Sequence, residues 1–311
     1  GRRGPAKGEA RFILPADDAV RQVEVAPDGG EEDGAVRGVA QDAGSDEQAS
    51  LGCEGRDAGG VRAEAVARAA DNGADLVVLP EQFVVGFFAF DAYATHAAGL
   101  DDELFERLAE LAADNNVGLI AGTTVEDLSA SAAAGYDVPA TEGYANTAVF
   151  FDREGPQRGV YRKHHLFGYN STEAELLVAG ERLPVVDFDG VSVGMTTCYD
   201  LRFPELYREL VDQGAELVVV PSAWPYPRVE HWKTLGRARA IENLCYVATA
   251  NGSGTFPDAD SQLCGRSTVY DPWGTTLAAS GEEPTVLTAN VDPQRVESVR
   301  ASFPALDDRR H

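Results

Sequence analysis

Residues 73–81 read GADLVVLPE, and residues 214–222 read the near copy GAELVVVPS. In each stretch a glycine follows a helix-forming segment, and Gly73 fits the position just past a helix C-terminus. A continuous apolar run then ends at a proline, which is typical of a strand buried in a parallel sheet. Two such joints favour an α/β chain with two comparable halves. The alternative is that both stretches only reflect a common way of joining a helix to a strand.

The alternation of helices and strands continues outward from both joints. Helical patterns cover residues 61–72, 101–116, 204–213, 230–243 and 293–301. Strand patterns cover residues 75–79, 117–123, 145–152, 159–162, 185–188, 191–198, 216–220, 245–250, 267–270, 275–279 and 285–291. This alternation predicts the α/β fold class.

The first 59 residues differ in composition from the rest of the chain. They are rich in Gly, Asp, Glu and Gln and show no sustained periodicity, with short strands at most over 11–14 and 20–26. We therefore expect a poorly specified N-terminal segment at 1–59 and one folded domain at 60–311.

The chain is strongly acidic. It has 51 acidic and 26 basic residues, a formal net charge of −25. Such a surface repels nucleic-acid phosphates and anionic membranes, so neither is expected as a partner. Only three of the basic residues are lysines, and the acidic excess resembles the salt-screened surface of proteins from salt-loving organisms.

The cysteines and the hydropathy bear on the compartment. None of the four cysteines forms a C-x-x-C pair typical of metal sites, and so few in 311 residues do not indicate a disulfide framework. No run of about 20 uncharged apolar residues occurs, and the N-terminal GRRGPAKGEA lacks the apolar region of a signal peptide. We expect a reducing cytoplasmic location, no membrane span and no metal.

Cys198 is the first candidate for chemistry. It ends the apolar strand pattern VSVGMTTC, shortly before a helix that begins near Pro204. Ligands bind at strand ends in open α/β sheets, and a helix N-terminus lowers the pKa of a thiol, so Cys198 is a candidate nucleophile. The alternative, a small core residue, is our interpretation of Cys245. Cys264, in a polar loop, and Cys53, in the N-terminal segment, have no neighbours that suggest a role.

Glu81 and Lys163 are the other two candidates. Glu81 follows a buried strand, where a carboxylate suits proton transfer, although taken alone it is better explained as a solvated strand-end residue. Lys163 is one of three lysines in an arginine-rich chain, and its ammonium suits an oxyanion. The neighbouring His164 and His165 diverge on either a strand or a helix, so we expect structural hydrogen bonds from them rather than a metal site.

Three motifs, in this order along the chain, resemble those of the nitrilase superfamily of carbon–nitrogen hydrolases. They are LPEQF with Glu81, YRKHHLF with Lys163 and TTCYDLRFPEL with Cys198. Flanking segments are similar too: PSAW at 221–224, RARAIEN at 237–243, GRS at 265–267 and DPWG at 271–274. The resemblance covers about residues 60–310 and is specific, because three separate motifs must coincide.

The resemblance implies a fold and an assembly. The fold is a four-layer αββα sandwich of two mixed β-sheets covered by helices. Family members commonly pair through a helical face, so a homodimer or a higher homo-oligomer is expected. The family also has a first strand shortly before the glutamate motif, which residues 1–59 show only weakly.

The resemblance also implies a catalytic set. Glu81 corresponds to the proton-transfer group, Lys163 to the oxyanion stabiliser and Cys198 to the nucleophile. The backbone N–H of Tyr199 is the expected second oxyanion donor. No metal and no cofactor are implied.

A second glutamate usually follows the lysine motif in this family. Glu173 and Glu175 are both candidates here. The spacing back from Ala179 and Gly180 favours Glu173, and the alternative for either is a solvated loop residue.

The substrate implied by the resemblance is a small-molecule amide. The CYDLRFPEL form of the cysteine motif is similar to the amidase-like branches, so a small aliphatic or ω-amide is expected first, N-carbamoyl amino acids second and nitriles third. Candidate pocket residues, with ordinary packing as the alternative, are Phe87, Phe88, Trp224 and Tyr226, together with Arg202 or Arg228 for a substrate carboxylate.

Two other classes of protein stay open. One is a non-catalytic scaffold relative of the same fold, against which all three candidate residues argue. The other is a redox thiol protein, which is less favoured because no second cysteine lies near Cys198 in sequence as a resolving partner.

Overall fold

A computed structural model describes residues 10–15, 57–169, 171–256 and 261–310. The strands are β1 Ala10–Pro15, β2 Leu76–Val78, β3 Gly118–Ile120, β4 Thr124–Asp127, β5 Tyr144–Phe151, β6 Gln157–Arg162, β7 Val185–Phe188, β8 Val191–Met195, β9 Leu217–Ser222, β10 Tyr246–Asn251, β11 Ser253–Phe256, β12 Ser261–Cys264, β13 Thr268–Tyr270, β14 Thr276–Ala279 and β15 Val286–Val291. The helices are α1 Asp57–Asp71, α2 Tyr93–His96, α3 Glu103–Asn115, α4 Leu128–Ala133, α5 Glu173–Leu176, α6 Pro204–Asp212, α7 Val229–Asn243 and α8 Pro293–Ser302. Short 3-10 turns occur at Phe90–Ala92 and Cys198–Arg202.

The described strands form two mixed sheets and a separate hairpin. The first sheet has the order β15-β1-β2-β3-β5-β4, with β6 also paired to β5, and the second has the order β14-β13-β10-β9-β8-β7. In each sheet three central strands are parallel, namely β1, β2 and β3 in the first and β8, β9 and β10 in the second. Antiparallel strands flank them on both sides. The two quoted stretches therefore supply the middle strands of the two sheets.

The sheets pack face to face, and helices cover their outer faces. The inner layer contains Leu76, Val78, Phe150, Leu217, Val219 and Ala248. Alternate residues of the same strands point outward, Val77 toward α1 and α3 and Val218 toward α6 and α7. Burial on both faces explains the continuous apolar runs. The expected αββα sandwich is confirmed.

The first strand lies inside a sheet. β1 pairs in parallel with β2 and antiparallel with β15, so the weak strand pattern at 11–14 marks a real strand. The second weak pattern, at 20–26, and Cys53 lie outside the described residues. Helix α1 begins at Asp57, so the expected boundary at residue 60 falls within a helix, and the division into 1–59 and 60–311 stays a prediction.

The sequence predicted the environment of one of two other cysteines correctly and that of the other wrongly. Cys245 is fully buried, as expected for a core residue. Cys264 was expected in a polar loop, but it is also fully buried and ends β12, where the Asn251 side chain contacts its sulfur at 3.3 Å. The polar neighbours of Cys264 in sequence concealed this burial. Across the described parts of the chain, no helix has the length and hydropathy needed to cross a bilayer.

Candidate active site

Three chain segments carry the candidate residues to one place between the sheets. Glu81 follows β2, Lys163 follows β6, and Cys198 opens the 3-10 turn after β8. The Glu81 N–H also contacts the Ser222 carbonyl at the end of β9, at 3.4 Å. Ends of strands from both sheets thus meet at the same point, which is where α/β sheets bind ligands.

Glu81 and Lys163 form a buried ion pair. The Lys163 Nζ lies 2.8 Å from Glu81 Oε1, and both side chains have 0% exposure. The other Glu81 oxygen, Oε2, accepts the backbone N–H of Ala223 at 2.9 Å. An ion pair excluded from water survives only when its remaining hydrogen-bonding capacity is also used, and here it is.

Of the two candidate second glutamates, the structure brings Glu173 to the cluster. Both Glu173 carboxylate oxygens lie 2.9 Å from Lys163 Nζ, and Oε2 accepts the N–H of Phe167 at 2.7 Å. Glu175 is exposed. One ammonium therefore lies between two buried carboxylates.

Cys198 sits in a backbone conformation that few side chains adopt. Its φ is +46°, in the left-handed region. The buried Asp200 stabilises this 3-10 turn through its carboxylate. Its Oδ2 accepts hydrogen bonds from the Thr197 N–H, at 2.9 Å, and from the Tyr161 hydroxyl. Asp200 Oδ1 accepts the backbone N–H of His165 at 2.9 Å. Strain of this kind persists where the surroundings over-determine it, which is common at active sites.

The surroundings of Cys198 favour the protonated form of its thiol. Burial raises its pKa well above the usual value, and the negative charge of Glu81, to which the thiol hydrogen-bonds, raises it further. Lys163 lowers the pKa without reversing the shift. The expectation of a lowered thiol pKa was wrong, because α6 begins only at Pro204 and a helix dipole acts mainly within its first turn. The nucleophile needs a base, and Glu81 is in contact with it.

Lys163 and Glu173 have shifted pKa values for opposing reasons. Burial acts to lower the pKa of Lys163, but the charges of Glu173 and Glu81 outweigh it and hold the pKa well above its usual value. Burial raises the pKa of Glu173, and Lys163 acts against that shift. The ammonium is thus a fixed positive charge, suited to an oxyanion.

Two contributors to the site were missed by the sequence reasoning. The side chain of Asn146, on β5, bonds both carboxylates, and the Ala223 N–H follows β9. Asn146 carried a signal, because it is the one amide side chain in the largely apolar strand YANTAVFF. Ala223 carried none, since its contribution comes from the backbone.

The candidate pocket residues lie around this cluster at different distances. Lys163 Nζ is 5.2 Å from the centre of the buried Phe87 ring. Arg202 lies 4.8 Å over the ring of Trp224, and its pKa is lowered by burial first and by the nearby charge of Arg228. The guanidinium of Arg228 lies 5.6 Å from the centre of the Phe167 ring.

The remaining candidates have other partners. Tyr226 hydrogen-bonds Glu282 and Arg266 through its side chain, and Tyr199 packs edge-on against Phe167 at 5.1 Å. The Nδ1 of His165 contacts Asp200 Oδ1 at 2.9 Å, in line with the structural role expected for it. No group of His, Cys, Asp and Glu side chains within the described ranges has the arrangement of a metal site.

Comparisons with known proteins cover most of the chain. The family model described as carbon–nitrogen hydrolase matches residues 61–301. The 2-oxoglutaramate amidase of Paenarthrobacter nicotinovorans is 40% identical over 241 residues, which are 76% of this chain and 79% of that protein.

Two solved structures resemble the chain over nearly its whole length. Nit3 of Saccharomyces cerevisiae, described as a member of branch 10 of the nitrilase superfamily, is 26% identical with a TM-score of 0.73, over 98% of this chain and 97% of that one. A mutant of the amidase from Nesterenkonia sp. AN1 is 25% identical with a TM-score of 0.72, over 100% of this chain and 97% of that one. That structure carries the acetamide moiety of fluoroacetamide on its active-site cysteine.

Proposed function

Because the chain belongs to the carbon–nitrogen hydrolase family, within the nitrilase superfamily, we propose that Cys198, Glu81 and Lys163 hydrolyse the ω-amide of a small carboxylate-bearing molecule. The chain is an amidase-type carbon–nitrogen hydrolase. The assignment of roles to these residues rests on one observation: the buried Cys198 thiol, whose pKa is raised by burial and by Glu81, lies beside a buried ion pair between Glu81 and Lys163.

Acylation begins with proton transfer. Glu81 takes the Sγ proton of Cys198 while the sulfur attacks the amide carbon, and a C–S bond forms. The negative charge that develops on the amide oxygen is stabilised by Lys163 Nζ and by the Tyr199 N–H. Glu81 then gives its proton to the nitrogen, the C–N bond breaks and ammonia leaves a thioester.

Deacylation uses the same groups, with water as the nucleophile and the Cys198 sulfur as the leaving group. Glu81 takes a proton from water, whose oxygen attacks the thioester carbon, and Lys163 again faces the oxyanion. The C–S bond breaks, the sulfur recovers its proton from Glu81 and a carboxylic acid leaves. No metal and no cofactor take part in this scheme.

The substrate class is inferred from the arginines and from the relative named above. A 2-oxoglutaramate amidase acts on a molecule with a terminal amide at one end and a carboxylate next to a carbonyl at the other. Burial and the positive charge of Arg228 lower the pKa of Arg202, and the Arg228 guanidinium lies 5.6 Å from the centre of the Phe167 ring. Two neighbouring cations of like charge would be stabilised by an anionic substrate group. We propose that they bind the carboxylate of a 2-oxo acid ω-amide.

The test compares ammonia release from a set of amides. We expect 2-oxoglutaramate to be hydrolysed with the highest kcat/KM, and a neutral amide of equal length to be about 100-fold poorer, as expected for loss of a charged contact. Arg202→Met and Arg228→Met should erase most of that preference by raising KM for the charged substrate. Arg237→Met is the control, because Arg237 also lies over an aromatic ring, 5.9 Å from the centre of Tyr270, but makes no contact with the site.

Other outcomes of the same comparison would contradict the substrate assignment. Preferred release of ammonia and carbon dioxide from an N-carbamoyl amino acid, or hydrolysis of a nitrile, would replace it with the second or third expectation. Equal rates for charged and neutral amides in all variants would remove the arginines from substrate recognition.

Covalent chemistry at Cys198 separates an enzyme from a scaffold. We expect fluoroacetamide to add one acetamide group, measured by intact mass, and Cys198→Ala to abolish both the adduct and ammonia release. Near-normal turnover by Cys198→Ala would contradict the mechanism.

The assembly is also part of the proposal. Ile241, Trp273 and Phe303 are exposed apolar side chains, and the rings of Trp273 and Phe303 lie 5.7 Å apart. We propose that a second copy of the chain covers them in the expected homo-oligomer, because exposed apolar side chains commonly mark an interface. Light scattering at low and high salt tests it, with dimers expected at high salt, where repulsion between acidic surfaces is screened. The cytoplasmic location stays a prediction.

A further inference from the structure

We propose that Asn146 is a positioning residue of the hydrolytic site, whose side-chain amide holds Glu81 and Glu173 together beside the lysine. Asn146 lies on β5 and is fully buried. It belongs to none of the three sequence motifs. The inference rests on the proposed function, because it concerns the state in which Glu81 accepts a proton.

The side chain divides its two N–H donors between two carboxylates. Asn146 Nδ2 lies 2.9 Å from Glu81 Oε1 and 2.9 Å from Glu173 Oε1. An amide nitrogen carries two hydrogens, so each carboxylate receives one. The backbone carbonyl of Asn146 also accepts the Lys163 N–H at 2.9 Å. One residue therefore contacts both carboxylates through its side chain and the backbone of the lysine through its carbonyl.

The charge balance explains why a neutral donor is needed here. Two carboxylates share one ammonium, and all three side chains have 0% exposure. Two carboxylates that share one ammonium resist simultaneous ionisation, because their negative charges repel each other. The mechanism nevertheless requires an ionised Glu81. A neutral amide that bonds both carboxylates stabilises their ionised forms without adding a charge of its own. Burial raises the pKa of Glu173, and the bond from Asn146 acts against that shift.

The other groups that face the two carboxylates are Lys163, Cys198 and Tyr93. Burial and the two carboxylates raise the pKa of Tyr93 well above its usual value, and its hydroxyl donates to the Phe87 carbonyl at 2.7 Å. Backbone N–H groups complete the set, from Ala223 to Glu81 and from Phe167 to Glu173. Each backbone donor serves one carboxylate, whereas Asn146 links the two.

Asn146→Ala removes the side-chain bonds and keeps the backbone bond to Lys163. We expect kcat for the preferred amide at pH 7 to fall about 10- to 100-fold, with KM within about threefold, because the lost bonds act on Glu81 and not on substrate. The acid limb of the kcat/KM profile should move to higher pH by about one unit, since the carboxylates ionise less readily. Asn146→Asp, of equal shape, should move it further, because a third carboxylate replaces the donor.

Thr147→Val is the matched control. Thr147 is the next residue of β5, is equally buried, and donates to Glu126 Oε2 at 2.7 Å. The variant loses a buried hydrogen bond of the same strand outside the site. We expect a lower melting temperature and an unmoved acid limb.

The pH dependence of Cys198 alkylation by iodoacetamide gives a second readout that needs no turnover. The acid limb of alkylation should shift in Asn146→Ala and Asn146→Asp as it does in catalysis. An unshifted limb in folded Asn146→Asp, or an equal shift in Thr147→Val, would overturn the proposal. Absence of Cys198-dependent ammonia release in the unmodified enzyme would instead overturn the proposed function.

Discussion

The ends of β2 and β9 resemble each other in sequence and differ in what they supply. Each follows a glycine with positive φ, 80° at Gly73 and 102° at Gly214, and each is the middle strand of its sheet. Beyond the first strand, Glu81 places a carboxylate in the site. At the end of the second, the Ser222 hydroxyl donates to the Val220 carbonyl at 3.3 Å, and the contacts with Glu81 come from backbone groups.

The ends of β2 and β9 are in contact, and each supplies hydrogen-bonding groups that the other lacks. The Ala223 N–H bonds the carboxylate that Glu81 provides, and the Ser222 carbonyl accepts the Glu81 N–H. A charge from one sheet is thus held by backbone dipoles from the other, whose orientation is fixed by packing. The two similar helix–strand joints bring the ends of β2 and β9 together, and Glu81, directly after the first of them, supplies the carboxylate.

The largest effect should come from removing the charge at the first joint. Glu81→Gln keeps the shape and loses the base, so kcat should fall about 10²- to 10⁴-fold. Ser222→Ala at the second joint should change kcat by less than about threefold, because it removes only a side chain that bonds its own strand. Ammonia release by both variants measures this, and comparable losses would mean that the two ends are not chemically different.

A smaller loss of kcat should follow from adding a methyl group next to the end of β2 or the end of β9. Gly122 has φ +45°, and a Cβ there would lie 1.9 Å from the Pro80 carbonyl oxygen, so Gly122→Ala must displace the backbone before Glu81. We expect kcat to fall about 10- to 100-fold through misplacement of Glu81. A Cβ at Gly252 would meet the side-chain tip of Leu263 at 2.6 Å, 3.9 Å from the Ser222 oxygen. Because that tip can move, Gly252→Ala should cost less than about threefold.

The ranking of these two glycines is the point to check. Kinetics together with thermal melts separates loss of geometry from loss of folded protein. A larger kcat loss in folded Gly252→Ala than in Gly122→Ala would reverse the roles assigned to the two strand ends.

The smallest effect concerns the buried thiol beside the second joint. Burial raises the pKa of Cys245 to about 12, whereas an unfolded cysteine titrates near its ordinary value of about 8.5. The stabilising contribution is therefore complete below that value and declines as the pH rises toward 12. Cys245→Ala should be less stable than the unmodified protein by about 1–2 kcal/mol at pH 7.5 because of the cavity. At pH 10 this difference should vanish or change sign, because ionisation of the unfolded thiol costs the unmodified protein about 2 kcal/mol.

Urea denaturation at the two pH values measures that difference. Activity per folded molecule should stay unchanged in Cys245→Ala. A stability difference that is constant with pH would mean that folding does not raise the pKa of this thiol.

The joints could be predicted from sequence because burial on both faces leaves continuous apolar runs. The position of β1 between β15 and β2 could not, since its partners come from opposite ends of the chain. The three motifs indicated Glu81, Lys163 and Cys198 through resemblance, and the spacing that favoured Glu173 matches its buried position beside Lys163.

The failures share a physical cause. The pKa of Cys198 was expected from a local feature, the following helix, but is set by burial and by Glu81, a residue distant in sequence. Asn146 is visible as an amide in a largely apolar strand, but its partners depend on how β2 and α5 come together. Local sequence predicts segments, whereas the ionisation of this site depends on contacts between them.

The most direct test of the central claim is the rate of Cys198 alkylation by iodoacetamide as a function of pH, in the unmodified protein and in Glu81→Gln. We predict rapid alkylation at neutral pH in the unmodified protein, where Glu81 accepts the thiol proton as the sulfur attacks, and slow alkylation in Glu81→Gln. In Glu81→Gln the rate should rise with pH toward a thiol pKa that is lower than in the unmodified protein, because one cause of its elevation is gone, but still above the usual value because burial remains. Equal rates at neutral pH in the two proteins would contradict the account.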